Sequence, residues 1–455
     1  MRVSILILGS LLLLFSTSLA TTIHVPGQYP TIQDGINAAV NGDTVLVAAG
    51  TYAEHLNFSG KSIVVISEDG PETTIIERQS IGMSLVLFTS GESNQAILSG
   101  FTLQKSYQAP AIYVSGSQPQ ILNNCFLYNQ TMVEGGAISA KNNAFPIIKG
   151  NLFWCNGGFR GGAIDVGELA PANAKIERNI FISNTSQTHG GAVFVRNSTA
   201  SIINHNIFYM NYVLAMGAAI CFSQCENIEF YNNTVAFSSN YETWNGSGLV
   251  VWVTNNCSVY NNIFVENIGI GMRQEPFYSS SFSYNNVWNN TVDYVNITPG
   301  NGSISDDPLF VGGDPYSFEL TANSPCIDAG DPNSPLDPDG TIADMGALYY
   351  PQVTSVENQP VIPESWLLYQ NYPNPFNSQT NIRFSIPDES SVKVDIFDTL
   401  GRKVRSLLDN QLQAGEHTIN WDGRSGSGER MSSGVYFYNL KTDTFEDSKK
   451  MVILK

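Results

Sequence analysis

The sequence has little charge, no cysteine spacing typical of a disulfide-rich domain, and no long apolar run after its first twenty residues. Only 14% of its 455 residues are charged, against roughly 25% in an average globular domain. Acidic residues outnumber basic residues by 40 to 22, which excludes the basic surface that a general nucleic-acid binder needs. A hydrophobic content of 42% is enough for a large core and excludes global disorder. The many Asn, Ser, Thr and Gly residues favour a β-rich chain.

The cysteines indicate neither a disulfide framework nor a zinc site. Two of them, Cys221 and Cys225, would lie about 13 Å apart in an extended strand, which is beyond the reach of a disulfide. No Cys-x-x-Cys pair suggests zinc binding. We therefore expect most of the thiols to be small buried residues of a stacked core. The six are Cys125, Cys155, Cys221, Cys225, Cys257 and Cys326.

The negative charge is concentrated in the first three quarters of the chain. Residues 365–455 hold 11 basic and 11 acidic residues, whereas residues 21–364 hold 10 and 29 and carry a net charge of −19. Residues 305–350 alone hold nine acidic residues and no basic one. A shift of this kind predicts a domain boundary between the acidic part and the neutral part.

Residues 1–20 have the three parts of a secretory signal peptide. Arg2 supplies the positive start, Ile5 to Phe15 form an apolar run with one short interruption, and Ser18-Leu19-Ala20 is a small-x-small cleavage site. The predicted cleavage follows Ala20. A membrane anchor would need about 20 apolar residues, so this run is too short. No later stretch is long enough to span a membrane, and the mature chain is predicted to have no transmembrane segment.

Two short motifs recur in phase through the middle of the chain. The first is Asn, a variable residue, and an apolar or aromatic residue, at steps of 27, 28, 27, 27, 29 and 24 residues. Its copies begin at Asn124, Asn151, Asn179, Asn206, Asn233, Asn262 and Asn286. The second is two small residues followed by Ala and then Ile or Val, at residues 135–138, 161–164, 190–193 and 217–220. A fixed period of this length predicts a stack of repeats.

The segments between the motifs are short, β-branched and alternating, so each repeat is interpreted as a coil of short strands joined by Gly or Asn turns. One coil cannot bury its own apolar face, but stacked coils can. Equivalent residues of neighbouring coils then lie about 4.8 Å apart. We therefore expect the Asn residues to form a hydrogen-bonded ladder, and the Ile, Val and Phe columns to fill the interior.

These repeats resemble the right-handed parallel β-helix family, the pectin-lyase-like fold. The segment from Tyr29 to Ala39, followed by Gly42 to Val47, is similar to the capping helix and first strand of that family. The resemblance predicts an all-β solenoid over residues 21–350, with a capping helix near residues 31–40 and an acidic closing segment over residues 305–350.

The predicted capping helix has a start signal and one apolar face. Thr31 and Asp34 have the spacing of an N-cap box. The apolar face would cover the open end of the solenoid, whose strand edges otherwise invite aggregation. Its residues are Ile32, Ile36, Ala39 and Val40.

A proline-containing linker over residues 351–364 and a C-terminal module over residues 365–455 are predicted next. Several short alternating strands in about 90 residues favour a small β-sandwich. The most distinctive residues of the module are Tyr372, Pro373, Asn374, Pro375, Phe376, Gly401, Trp421, Gly434 and Lys450. With them the module closely resembles the type A C-terminal sorting domain of the bacterial type IX secretion system, and the Ig-like domain of flagellar hook-capping proteins.

The resemblance to a sorting domain implies a route and a destination for the chain. It implies passage through the periplasm and transport across the outer membrane by the type IX machinery. The protein would then be secreted, or displayed on the outer surface of a Gram-negative-type bacterium. The alternative is an ordinary β-sandwich appendage.

A catalytic site is not evident, because the motifs of the family's lyases, polygalacturonases and esterases are absent. The best candidate comes from aligning the Gly-Gly repeats, which Glu134, Arg160 and His189 precede. Strand alternation predicts that the column after each repeat faces outward. That column consists of Ser139, Asp165, Phe194 and Cys221. Glu134, Arg160, Asp165 and His189 on one face would suit acid–base catalysis, and the alternative is a solvated ladder of ion pairs.

Two other features are candidates for ligand binding. Tyr113, Phe194 and Trp252 are predicted outward aromatic residues, which would stack on sugar rings or cap lateral loops. Asp337, Asp339 and Asp344 lie close together in the sequence and supply several carboxylate oxygens, so this segment superficially resembles a calcium-binding loop. The position that holds Glu in an EF-hand loop is Leu348 here. Calcium is therefore the one candidate cofactor.

Two classes of function stay open at this point. The first is an exported β-helix protein that binds a glycan or another extracellular macromolecule without transforming it. The second is a carbohydrate-active enzyme of the pectin-lyase-like fold, a polysaccharide lyase or a glycoside hydrolase. The missing family motifs and the small number of Arg and Lys residues favour binding, with an extracellular polysaccharide as the expected partner.

Overall fold

The computed structural model describes residues 20–168, 170–241, 247–313, 317–352, 365–371, 374, 376, 379–399, 401–442 and 444–453. The predicted signal peptide, except Ala20, lies outside the described residues, as do residues 353–364 of the predicted linker and Tyr372, Pro373 and Pro375 of the sorting motif. The chain divides into two compact units, Met1–Val353 and Thr354–Lys455.

The first unit is a parallel β-solenoid in which each coil adds a strand to three sheets in turn. Sheet 1 consists of Thr22–Val25, Thr44–Val47, Val64–Ser67, Ile97–Ser99, Gln120–Leu122, Ile147–Lys149, Lys175–Glu177, Ile202–Asn204, Glu229–Tyr231, Ser258–Tyr260 and Ser281–Ser283. Sheet 2 consists of Gly50–Ala53, Thr74–Glu77, Thr102–Gln104, Cys125–Leu127, Leu152–Trp154, Ile180–Ile182, Ile207–Tyr209, Thr234–Ala236, Ile263–Val265 and Asn286–Trp288. Sheet 3 consists of Leu56–Asn57, Val86–Phe88, Ile112–Ser115, Ile138–Lys141, Ile164–Val166, Val193–Arg196, Ile220–Ser223, Ser247–Trp252, Ile270–Gln274 and Val292–Val295. The predicted solenoid is confirmed.

Columns of like residues fill the interior, as the repeat predicted. On sheet 2, the rings of Phe126, Phe153, Phe181 and Phe208 stack face to face with centroids 4.7 to 4.8 Å apart. This separation is the spacing of hydrogen-bonded strands, so each ring lies over its equivalent in the next coil. The inward residues of sheets 1 and 3 are mostly Ile, Val and Leu, and they are fully buried.

The predicted Asn ladder is confirmed over most of its length. The backbone N–H of Asn151 donates to Oδ1 of Asn179 at 2.9 Å, and Nδ2 of Asn179 donates to the carbonyl of Ile148 at 2.9 Å. The last predicted member is wrong by one residue, since Asn262 donates to Asn285 rather than to Asn286. Asn286 lies within a strand opposite Ile263, because the last coil is one residue shorter than the motif alignment assumed.

A second Asn ladder, which the sequence analysis missed, runs parallel to the first. The backbone N–H of Asn156 donates to Oδ1 of Asn184 at 3.1 Å. Each member follows a member of the first ladder by five residues, and this constant spacing is the signal that would have revealed it. The column consists of Asn129, Asn156, Asn184, Asn211, Ser238, Asn267 and Asn290.

The N-terminal end of the solenoid carries the predicted capping helix, Ile32–Ala38. Thr31 is its N-cap, and its side chain accepts a hydrogen bond from the backbone N–H of Asp34, as predicted. The prediction for Val40 is wrong, because 53% of this residue is exposed. The helix ends at Ala38 and Ala39 is extended, so Val40 no longer follows the helical face.

The closing segment covers part of the outer face of sheet 2. It contains an antiparallel pair, Phe310–Gly312 and Ser317–Leu320. Its buried apolar side chains form one cluster with outward residues of sheet 2; the buried members are Ala236, Ile263, Val265, Phe318, Leu320, Cys326 and Met345.

The six cysteines are all free, and four of them are buried, as expected for small residues of a stacked core.

The second unit consists of two antiparallel sheets around a shared core. One contains Leu367–Leu368, Thr380–Ile386 and Gly415–Trp421, and the other contains Lys403–Leu412, Ser390–Asp398, Gly434–Lys441 and Glu446–Ile453. This arrangement confirms the predicted small β-sandwich.

No helix within the described residues has the length and apolar character needed to cross a membrane.

Candidate functional site

A short fourth sheet brings side chains to the outer face of sheet 3. Its strands are Gly157–Arg160, Thr185–His189, Tyr212–Val213 and Ser239–Asn240, and it pairs Arg160 with His189. The chain then passes through the small-residue motif into sheet 3. There the coils approach so closely that a Cβ on Gly191 would overlap the carbonyl oxygen of Ala218. The small residues are therefore a steric requirement of the turn between the two sheets.

The predicted outward column is buried, which corrects the expectation of a solvated ladder. Ser139, Asp165, Phe194 and Cys221 are paired in register on sheet 3 and point away from the interior. Their exposed fractions are only 0%, 0%, 2% and 0%. The charged and aromatic side chains from the fourth sheet and adjoining loops cover the column, which strand alternation alone does not reveal.

Asp165 of this column and four charged side chains around it form a network that we call the sheet-3 cluster: Glu134, Lys141, Arg160, Asp165 and Glu168. Lys141 Nζ lies 2.9 Å from Glu134 Oε1 and 2.7 Å from Glu168 Oε2. Arg160 Nη2 lies 2.7 Å from Glu168 Oε1 and 3.5 Å from Asp165 Oδ2. The structure thus brings together Glu134, Arg160 and Asp165, as the repeat alignment predicted.

Two members of the cluster were missed from sequence. Lys141 follows Ser139 by two residues in the same strand and so lies on the same side of the sheet, a signal that the alignment contained. Glu168 lies in an irregular segment after the strand Ile164–Val166, and no repeat position marks it.

Burial and mutual charge shift the pKa values of the cluster in opposite directions. Burial raises the pKa of Asp165 to about 7, against the opposing effect of Arg160 and Lys141. Burial also raises the pKa of Glu168, but hydrogen bonds from Lys141 and Arg160 outweigh it and lower the value to about 2. For His189, burial and then the charges of Arg160 and Arg196 lower the pKa, so the ring is neutral at pH 7.

The sheet-3 cluster and its neighbours Ser139 and His189 contain buried polar atoms without a partner in the described structure. Five buried polar atoms have no hydrogen-bond partner among the described residues: Glu134 Oε2, Ser139 Oγ, Arg160 Nε, Asp165 Oδ1 and His189 Nδ1. Buried polar groups are nearly always paired in folded proteins, because an unpaired one costs about 1–3 kcal/mol. The concentration of such groups in one place makes this part of the chain a candidate functional site.

Asp165 should make the stability of the wild-type chain depend on pH in a characteristic direction. With a pKa raised from 3.8 to about 7, the folded state binds more protons than the unfolded state between these values. The free energy of unfolding should therefore fall as pH rises through this window, by up to about 1.4 kcal/mol per pH unit. Denaturant unfolding of the wild type and Asp165→Asn from pH 4 to 8 measures the difference in slope, and equal slopes would contradict the assignment.

A cavity of about 230 Å³ opens beside the cluster. Arg160, His189, Phe194, Arg196 and Trp252 are among the residues that line it. The ring of His189 stacks on that of Trp252 with centroids 5.5 Å apart and lies 5.3 Å from that of Phe194. Arg196 Nε donates to Gln224 Oε1 at 2.8 Å.

The aromatic candidates have different outcomes. Phe194 and Trp252 both line the cavity, with Phe194 buried and Trp252 partly exposed. Tyr113 is half-buried. It pairs with Ser139 of the next coil, and Ser139 in turn pairs with Asp165, so Tyr113 lies two coils before Asp165. It does not belong to the cavity wall. Two of the three aromatic candidates, Phe194 and Trp252, therefore line the same cavity as His189 and contact its ring.

The three predicted calcium ligands take part in hydrogen bonds within the closing segment. Asp337 Oδ2 accepts from the backbone N–H of Asp344, and Asp344 in turn accepts from the N–H groups of Asp328 and Tyr350. Asp339 accepts from Thr341 and Gln352. The described part of the chain contains no group of three or more His, Cys, Asp or Glu side chains placed to hold a metal ion. Calcium binding stays a prediction.

The described residues of the sorting motif hold the last strand of the second unit in place. The backbone N–H of Val452 donates to Asn374 Oδ1 at 2.8 Å, and the N–H of Phe376 donates to the carbonyl of Val452 at 3.0 Å. The ring of Phe376 packs against the buried Trp421. Gly401 occupies a turn with φ of 73°, Gly434 begins the strand Gly434–Lys441, and Lys450 lies in the strand Glu446–Ile453.

Comparison with protein families agrees with this architecture. Residues 370–454 match the secretion system C-terminal sorting domain, and residues 86–235 match the right handed beta helix region. The chain is a right-handed parallel β-helix protein with a C-terminal sorting domain. We refer to its two units as the β-helix and the sorting domain. The sorting domain marks the protein for type IX secretion to the cell surface or the extracellular space. The signal peptide and the Ig-like character of the domain stay predictions.

Similarity to individual proteins is low. No curated protein matches the chain in sequence. PorZ, a surface component of the type IX secretion system of Porphyromonas gingivalis, is 22% identical over 19% of this chain and 11% of its own, with a TM-score of 0.15. The PL6 family alginate lyase AlyGC is 14% identical over 67% of this chain and 56% of its own, with a TM-score of 0.26. Pectate lyase Pel9A is 12% identical over 73% of this chain and 97% of its own, with a TM-score of 0.32. These values transfer no activity to this chain.

Proposed function

We propose that the β-helix binds a carboxylated glycan outside the cell, at the cavity beside Trp252. The observation that carries the proposal is the combination, in one cavity, of the Trp252 ring with Arg196, which has no carboxylate partner among the described residues. An aromatic ring offers a flat apolar surface to a sugar ring, and a guanidinium binds a carboxylate through two parallel hydrogen bonds. A glycan that contains sugar acids presents both ring faces and carboxylates, so it can use both kinds of contact.

The charge of the β-helix as a whole opposes such a ligand, and the cavity reverses that charge locally. Residues 21–364 carry a net charge of −19, whereas Arg196 lines the cavity; the charge of Arg160, which also lines it, is already paired with Glu168. At physiological ionic strength the Debye length is about 8 Å, so distant carboxylates are screened while a direct contact with Arg196 is not. The proposed interaction is therefore local to the cavity.

Trp252→Ala and Arg196→Gln should each weaken glycan binding at least about tenfold, the equivalent of about 1.4 kcal/mol. The full chain would be run through affinity gels that contain polygalacturonate, alginate or a neutral polysaccharide, and retardation would be compared. Trp154→Ala is the matched control, since Trp154 is an exposed Trp on the outer face of sheet 2. Equal loss in all three variants, or no retardation of the wild type by an acidic polysaccharide, would sink the proposal.

The second candidate function is a polysaccharide lyase or glycoside hydrolase, and the sheet-3 cluster favours it. A neutral His189 at the cavity wall can accept a proton, as the general base of such an enzyme must. Asp165 is completely buried, so it would act through Arg160 as a positioning residue. New reducing ends or unsaturated products from the same polysaccharides, lost in His189→Ala, would establish this activity. Retardation without products would favour binding.

A further inference from the structure

A larger cavity, of about 580 Å³, lies between the coils and the closing segment. Arg178, His205 and Asn232 line it from the corner between sheets 1 and 2, and the opposite wall includes Asp337, Leu348 and Tyr349. This volume lies within the range of small-molecule sites, about 300–1,000 Å³. The cavity shares no lining residue with the one beside Trp252, so the two sites can be tested separately.

One position at this corner, the residue just before each ladder Asn, holds a different type of residue in the coils that begin to line the cavity. Each coil places a residue with left-handed φ just before its member of the first Asn ladder. At Asn232 and Asn261 this residue binds the closing segment, through hydrogen bonds to the Asp344 carbonyl at 2.8 Å and from the Asp331 N–H at 2.7 Å. The two preceding coils carry Arg178 and His205 instead, although Asn or Gly fits a left-handed turn better than Arg.

The polar groups around the cavity include donors and acceptors that are available to a ligand. The Arg178 side chain has no ion pair or hydrogen bond with any described residue, and it is exposed. His205 Nδ1 lies 3.1 Å from Asn204 Oδ1, which assigns the proton to Nδ1 and leaves Nε2 as an acceptor. Burial and the charge of Arg178 lower the pKa of His205 to about 4, so the ring is neutral at pH 7. Asp337 uses Oδ2 for the Asp344 N–H at 2.8 Å, and its Oδ1 has no partner among the described residues.

We propose that this cavity binds a short neutral saccharide. Sugar hydroxyl groups both accept and donate, so they can accept from Arg178 while they donate to Asp337 and to His205. The C–H faces of the sugar ring would pack on Leu348 and Tyr349. A ligand with only negative charge would meet the carboxylates of Asp337 and Glu319, and one with only positive charge would meet Arg178.

The test is calorimetric titration of the full chain with maltotriose, cellotriose and xylotriose. Trigalacturonate and spermidine serve as the anionic and cationic probes. At least one neutral trisaccharide should bind with millimolar or tighter affinity. Arg178→Gln and Asp337→Asn should each weaken that binding at least about fivefold, the effect of losing a hydrogen bond of about 1 kcal/mol.

Trp252→Ala separates this site from the glycan site of the proposed function. It should leave trisaccharide binding unchanged, because Trp252 does not line this cavity. Arg178 is exposed, so Arg178→Gln should fold normally. Binding of trigalacturonate or spermidine alone, binding that survives both cavity substitutions, or no binding of any neutral trisaccharide would each overturn the inference.

Discussion

Gly191→Ala should lower the free energy of unfolding of the β-helix by about 3 kcal/mol or more, at the upper end of what overpacking costs. The added Cβ would overlap the carbonyl oxygen of Ala218 and lie 2.7 Å from that of Tyr212. Both oxygens belong to the backbone of the next coil, which is held by ladders of parallel hydrogen bonds. Because a backbone cannot turn aside as a side chain can, the two coils would have to separate. Urea unfolding of the full chain, followed by circular dichroism, measures the loss.

Gly157→Ala is the control for this substitution. Gly157 lies in the neighbouring fourth sheet, but a Cβ there would be 3.5 Å from Thr185 Oγ1, an ordinary van der Waals distance. We expect a change within about 1 kcal/mol for this variant. If the two variants lose the same stability, close approach of the coils is not the reason for the small-residue motif.

Asn179→Ala should lower the free energy of unfolding by about 3 kcal/mol, since it removes several buried hydrogen bonds at about 1–3 kcal/mol for each group left unpaired. The Asn179 side chain is fully buried in the middle of the first ladder. Its Oδ1 accepts from the backbone N–H and Nδ2 of Asn151, and its Nδ2 donates to Ile148 O and to Asn206 Oδ1. Alanine replaces none of these bonds and is too small to fill the space.

Asn94→Ala serves as the matched control for the ladder. Asn94 is exposed, so its replacement should change stability by no more than about 0.5 kcal/mol. Thermal and urea unfolding of both variants provide the comparison. A ladder variant as stable as the control would mean that the Asn column is not what holds the coils in register.

Much of the fold was predictable because every coil repeats the same physical solution. The Asn motif at steps near 27 residues predicted stacked strands, and the Phe and Asn columns confirmed them. The errors occurred where the period changes. The coil that ends at Asn285 is one residue shorter than the motif alignment assumed, and the helix stops before Val40. Local hydrogen bonding determines both end points, and a periodic pattern carries no information about it.

The candidate site was predictable only in part. Alignment of the repeats predicted that Glu134, Arg160 and Asp165 would be neighbours, since equivalent positions of adjacent coils must lie side by side. It did not reveal that the column under them is buried, that Lys141 and Glu168 complete the network, or that Trp252 stacks on His189. These contacts join residues of different columns and different coils, so no single spacing reports them.

The sequence by itself determined the stacked coils, the neutral C-terminal module and the acidity of the rest, because period, composition and charge are properties of the chain as written. Only the tertiary structure decided which outward residues are exposed and which are covered. The fourth sheet places Arg160 and His189 over Asp165 and Phe194, and the closing segment forms the larger cavity against Arg178 and His205. Burial depends on what lies above a residue in space. For this protein it is burial that raises the pKa of Asp165 to about 7, and the Oδ1 atom of this carboxyl has no hydrogen-bond partner in the described part of the chain.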